Sequence, residues 1–162
     1  QRNQMSENLI EKTSQWFVAA GQQPAKPEPN AAQIAFYIGM QLEELAEKLE
    51  ALKLFTGVPE IMQKVSAEFK RGDWTGHIQH MLSDPGTMEA MLDADMDLLW
   101  VSIGAARAQG ADVSGAYEAV TEANWDKFIN GVAKLHPETG KVLKRPGWVA
   151  PNLAPYTYMG QE

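Results

Sequence analysis

Ile34-Ala35-Phe36-Tyr37-Ile38-Gly39-Met40-Gln41-Leu42-Glu43-Glu44-Leu45-Ala46-Glu47-Lys48-Leu49 is the stretch that decides the fold. Ile34, Ile38, Leu42, Leu45 and Leu49, continued by Leu52, recur every three or four positions, the period of an amphipathic α-helix. Asn30 is placed to cap this helix, and Gly57 and Pro59 to end it. The pattern predicts a helix over 31–55. Glu44 and Glu47 are three apart and share one of its faces. Carboxylates that turn toward a helical core are costly unless something positive sits between them.

A second long helix is expected over 87–108, rich in Met, Leu and Ala and closed by Gly110. It carries Asp93-Ala94-Asp95-Met96-Asp97, in which Asp93 and Asp97 are four apart and share a face. Asp97 lies between Met96 and Leu98-Leu99-Trp100, which predicts buried surroundings for it. Trp100 itself is expected in the core or across a subunit interface. Side by side, the two long helices would converge Glu44, Glu47, Asp93 and Asp97. An oxygen-liking cation, Mg²⁺ with Mn²⁺ as its substitute, would relieve their repulsion and bridge to phosphate oxygens. Glu47 is the favoured base for an attacking water, with Glu44 beside it as the other catalytic candidate. The competing readings are a solvated acidic face and a buried salt bridge to Lys or Arg.

Working outward, Leu9, Ile10, Thr13, Trp16, Phe17 and Ala20 mark a helix over 7–20, stopped by Gly21. Pro24, Pro27 and Pro29 predict an extended linker. Shorter helices are expected over 59–70 and 74–82, separated by the turn Arg71-Gly72-Asp73-Trp74 and followed by the breaker Asp84-Pro85-Gly86. Asp112 or Ser114 starts a last helix over 114–134. Beyond His136 the pattern dissolves into Gly140, Pro146, Gly147, Pro151 and Pro155. The expected architecture is an all-α bundle of about four to six helices in one domain, residues 1–162. Its helical body runs over about 7–134 and an irregular C-terminal arm over about 135–162.

Composition narrows the function. The 162 residues carry a formal charge of -7, which argues against duplex nucleic acid as a partner. The basic residues gather late, at Lys127, Lys134, Lys141, Lys144 and Arg145, as a phosphate-binding edge on an acidic body would. Cysteine is absent, which removes thiolate metal sites and disulfides and favours an intracellular protein. No apolar run is long enough to span a membrane, and no secretory stretch opens the chain. Asn124 and Lys127 share a face of the last helix, suited to a sugar hydroxyl and a phosphate, or to an ordinary surface pair. Trp16 and Phe17 are either a stacking surface for a base or core anchors. His77, His80 and His136 lack the spacing of a zinc set.

Taken in order, these motifs resemble the MazG-like all-α nucleotide pyrophosphohydrolases, which include all-α dUTPases and dCTPases. Glu43-Glu44-Leu45-Ala46-Glu47 is similar to the family's Glu-x-x-Glu motif. Asp97-Leu98-Leu99-Trp100 is similar to the segment carrying its Glu-x-x-Asp motif, with Ala94 where that Glu stands and Asp93 one residue earlier. Val120 to Lys127 follows the family's Val-x-x-x-Asn-x-x-Lys pattern, and Thr139 to Pro151 looks like the C-terminal arm of phage and bacterial members. The resemblance implies that Glu44, Glu47 and Asp97 ligate Mg²⁺, with Asp93 as the fourth. It implies that Asn124 and Lys127 face sugar and phosphates, that Lys141, Lys144 and Arg145 close over the phosphate tail, and that Trp16 and Phe17 lie near the base.

The implied reaction is hydrolysis of a (d)NTP to the monophosphate and pyrophosphate. The base is open among dGTP, dCTP and dUTP. The implied setting is a homodimer or homotetramer in the cytoplasm of a bacterial cell or phage-infected host, away from membranes. Phosphoribosyl-ATP pyrophosphohydrolase is the alternative within this fold, disfavoured by Trp100 at the place of its histidine. A noncatalytic helical scaffold is the alternative outside it.

Overall fold

The close approach of two helices organises residues Glu28–Asp93. The computed structural model describes residues 2–23, 28–53 and 57–161, with side chains from Leu9 onward. Helix α2 (Ala31–Ala51) begins where Asn30 accepts a hydrogen bond from the Gln33 amide. Its buried face is the stripe Ala31, Ala35, Gly39 and Ala46. The larger residues expected to face inward do so only in part, and Leu45 and Leu52 are exposed. Small side chains win because α3 (Val58–Arg71) lies close against α2. A Cβ on Gly39 would meet the Ser66 carbonyl oxygen at 2.8 Å and Lys70 Cγ at 2.6 Å. The fully buried Ser66 hydroxyl donates to the Gly39 carbonyl at 2.7 Å, so the one polar group in this contact is satisfied. Lys70 Nζ donates to Glu43 Oε1 at 2.8 Å beside it.

Helix α1 (Arg2–Ala19) starts earlier than the expected 7–20 and stops ahead of Gly21, whose φ is +71. The Pro24–Pro27 part of the expected linker lies outside the described residues, as do residues 54–56 of the expected 31–55 helix. Among the described residues α2 ends at Ala51, and Gly57 and Pro59 open α3 instead of closing α2. Gly72, at φ +84, caps the far end of α3. Helix α4 (Thr75–Met81) brings Ile78 onto Ala31 and Ala35, with Ile34, Ile38, Phe69 and Leu82 packed around them. Phe69 stacks on Trp74 at 5.7 Å.

Asp84 starts α5 (Pro85–Ala108) by accepting from the Thr87 hydroxyl and amide, contacts that hold its carboxyl below the usual range, the hydroxyl contributing most. Helix α5 carries no buried residue. Trp100 is 78% exposed and Met96 54%. Asp97, for which the sequence predicts buried surroundings, is exposed among the described residues.

The chain divides into two units, one of residues 28–93 and one of residues 1–27 with 94–162. In the second, α6 (Val113–Trp125) is capped by Asp112, which accepts from the Gly115 amide. It packs on α1 through Thr13 to Tyr117 (2.7 Å) and Lys12 to Glu118 (3.2 Å). The expected 114–134 helix stops at Trp125 because Asn130 (φ +51) and Gly131 (φ +76) turn the chain back, bridging Ile129 to Val132. The arm beyond is ordered. Leu135 bridges Val142, and short 3₁₀ turns form at Ala154–Tyr156 and Tyr158–Gly160. The Tyr156 carbonyl accepts from the Asp112 amide at 2.9 Å. Tyr156 also occupies the space a side chain on Gly115 would fill. Among the described residues the protein is all-α with no strand, and no helix is long and apolar enough to cross a membrane.

The α2–α3 contact is testable. Gly39→Ala is expected to lower stability in urea unfolding by about 1–3 kcal/mol, the usual cost of overpacking. Ser66→Ala should cost about 1 kcal/mol, one net hydrogen bond. A Gly39→Ala chain as stable as the parent would show that the two helices separate without penalty.

Candidate functional site

Three lysines gather where the arm folds back on α6. The Trp148 indole Nε1 donates to the Ala123 carbonyl at 2.7 Å, fixing the ring against the last turn of the helix. Lys144 Nζ lies 4.5 Å from the ring centroid and Lys127 Nζ 5.5 Å, both within cation–π range. Lys127 donates to Asn124 Oδ1 at 2.6 Å, so the pair three residues apart does share a face. Burial, then the charges of Lys144 and Lys141, hold the Lys127 ammonium below the ordinary lysine range. No ion pair among the described residues involves Lys127, Lys141 or Lys144. This is a crowd of like charges without a carboxylate, the electrostatic setting an anion relieves.

Arg145 has different contacts. Its Nη2 donates to both carboxylate oxygens of Asp126 at 2.8 Å, its Nε to the Asp126 carbonyl at 2.7 Å and its Nη1 to the Pro146 carbonyl at 3.0 Å. The guanidinium thereby fastens the arm to the end of α6, one residue after Lys144. Trp16 and Phe17 meet edge to face at 5.2 Å, and Trp16 lies 5.9 Å from Phe128, which is 5.1 Å from Trp125. Trp16 thus adjoins the residue that follows Lys127. The Trp16 indole N–H is buried without a hydrogen-bond partner, a spare donor inside an aromatic wall.

The acidic candidates lie on separate helices. Glu44 and Glu47 are exposed on α2, and Asp93 and Asp97 are exposed on α5. Among the described residues no group of three or more His, Asp or Glu is gathered as a ready metal cage. Their donor chemistry still suits Mg²⁺, a hard ion commonly held by one or two carboxylates with waters and substrate phosphates rather than by a full protein cage. Glu43 is engaged by Lys70, so the salt-bridge reading holds for that residue.

Trp148, Phe128 and Asp126 were not singled out from sequence as site residues. Trp148 carried a signal, as an aromatic four residues after Lys144 in a Pro/Gly-rich arm. The fold-back that brings it to Lys127 has no local signature.

No family model, curated protein or solved structure matches the chain.

Lys127 binds its proton less readily when folded than when unfolded. The folded chain therefore gains stability as pH rises from the folded value to the ordinary lysine value, and the gain is absent below both. Titration of the Lys127 side chain by NMR should show the depressed midpoint. Lys144→Gln should move it upward only in part, since burial is the larger cause. An unchanged midpoint in that variant would remove Lys144 from the cluster.

Proposed function

We propose that the protein is a nucleoside triphosphate pyrophosphohydrolase, cleaving a (d)NTP to its monophosphate and pyrophosphate. The observation that carries this reading is the cluster of Lys127, Lys141 and Lys144 without carboxylate partners, with Lys127 and Lys144 over Trp148 and Lys127 on Asn124. A polyphosphate tail supplies the negative charge this cluster lacks, and three ammonium point charges suit a chain of phosphates. Asn124 offers an amide to a sugar hydroxyl. The aromatic group of Trp16, Phe17 and Phe128 offers a surface for a base, with the Trp16 N–H as an unused donor. The order of acidic and Asn/Lys motifs along the sequence supports the same reading.

The residues that would hold a divalent cation are Glu44, Glu47, Asp93 and Asp97. When bound, such an ion polarises the phosphoryl group and offsets charge on the leaving pyrophosphate. The chain's own groups divide the remaining work. The lysines bind and orient the phosphates, so that the substrate is held in one pose before bond breaking. Glu47 takes a proton from the attacking water as the water oxygen bonds to phosphorus. The bridging P–O bond between the α and β phosphates breaks, and the electron pair leaves with pyrophosphate.

The test is a panel of the eight (d)NTPs with Mg²⁺, scored for monophosphate, pyrophosphate and orthophosphate. Pyrophosphate release from at least one nucleotide is expected, and its complete absence across the panel overturns the reading. Orthophosphate with diphosphate would place cleavage at the terminal phosphate instead. Lys127→Met should raise KM roughly ten- to a hundredfold, matching about 1.5–3 kcal/mol for hydrogen bonds to a charged group. Glu47→Gln and Asp97→Asn should each abolish Mg²⁺-dependent turnover while circular dichroism stays unchanged.

A further inference from the structure

We propose that Lys127 is a covalent capture site for a small phosphorylated aldehyde, whose phosphate Lys141 and Lys144 hold while the Lys127 amine takes its carbonyl carbon. The capture uses the lysines of the proposed nucleotide site but needs no turnover, so it stands or falls apart from that reading. The three amines differ in setting. Lys141 and Lys144 are exposed, whereas Lys127 is half-buried. Lys144 Nζ lies nearer the Trp148 ring, at 4.5 Å against 5.5 Å for Lys127. Burial first, then the charges of Lys144 and Lys141, leave Lys127 with a larger neutral share than an ordinary lysine has. Desolvation beside other cations is the setting that makes a lysine nucleophilic toward carbonyl carbons.

The surrounding contacts fix where this amine stands. Lys127 Nζ donates to Asn124 Oδ1 at 2.6 Å. Asp126 and Arg145, the charged neighbours of Lys127 and Lys144 in sequence, are engaged with each other, Arg145 Nη2 reaching both Asp126 oxygens at 2.8 Å. That fork ties the residue before Lys127 to the residue after Lys144. No ion pair among the described residues takes up any of the three lysines. A nucleophilic amine beside two ammonium groups matches a ligand that carries an electrophilic carbon near an anion. A simple anion would use the charges and leave the amine idle. In the covalent step the Lys127 nitrogen lone pair bonds to the carbonyl carbon, and the carbonyl π pair moves onto oxygen. Both amine hydrogens end on that oxygen, which leaves as water, and a C=N bond remains. The step consumes no oxidant or reductant.

Pyridoxal 5′-phosphate is the probe, with pyridoxal as its phosphate-free counterpart. The full chain is treated with a limiting amount of either, reduced with borohydride to fix the imine as a secondary amine, and digested for mass spectrometry. The phosphorylated probe is expected on Lys127 about tenfold faster than on the exposed Lys48 and Lys53, a modest share of what holding two reactants together supplies. Pyridoxal should lose most of that preference. Lys141→Gln and Lys144→Gln change exposed side chains, and each should slow the phosphorylated probe at Lys127 more than it slows pyridoxal. If either variant fails to fold, the two probes on the parent chain still decide. Label spread evenly over the exposed lysines, an equal preference for Lys127 with both probes, or folded Gln variants that slow neither probe would each overturn the proposal.

Discussion

The hydrogen bond from Ser66 to the Gly39 carbonyl marks the tightest constraint in residues 28–93. Two helices can meet this closely only where one lacks a side chain and the other carries a small one that satisfies its own polar group. That requirement fixes the rotation of α2. With Gly39 and Ala46 turned toward α3, Glu44 and Glu47 are turned to solvent and Glu43 is brought to Lys70. A packing constraint thereby assigns three neighbouring glutamates to different tasks. One joins the helix pair through Lys70, and Glu44 and Glu47 lie on the exposed side.

In the other unit the constraint is electrostatic. Burial of Lys127, and then the charges of Lys144 and Lys141, lower its affinity for a proton in the folded chain. The arm is held in place regardless by contacts that do not depend on those charges: the Trp148 indole on Ala123, the Arg145 fork on Asp126 and the Tyr156 carbonyl on Asp112. Neutral or internally paired contacts therefore hold the arm, and the lysine charges are not among them.

Local chemistry was legible in the sequence wherever a single turn of backbone decided the outcome. Asn30 and Asp112 cap the helices that the periodicity placed after them, and Gly21, Gly72 and Gly110 punctuate as their freedom at positive φ allows. Two errors have physical causes. The helix expected over 114–134 ends at Trp125, and Asn130 and Gly131, both at positive φ, turn the chain back within the remainder of that range. The inward face of α2 was assigned to its largest residues, but helix proximity selects the smallest. Of the site, the Asn124–Lys127 pair was legible from helical spacing and the proximity of Trp148 was not, because chain reversal over two dozen residues leaves no periodic trace.

The arm's architecture gives ligand and chain a mutual dependence. Lys144 and Trp148 reach Lys127 only while the reversal at residues 134–143 stays closed, a small antiparallel clasp held by Leu143 to Lys134 and His136 to Lys141. Whatever anion bridges these lysines draws its affinity from a closed clasp and in turn shifts the opening equilibrium against itself. Occupancy would then be recorded in slower amide exchange and slower proteolytic nicking around Thr139, so this short segment would report on cargo as a latch reports on its door.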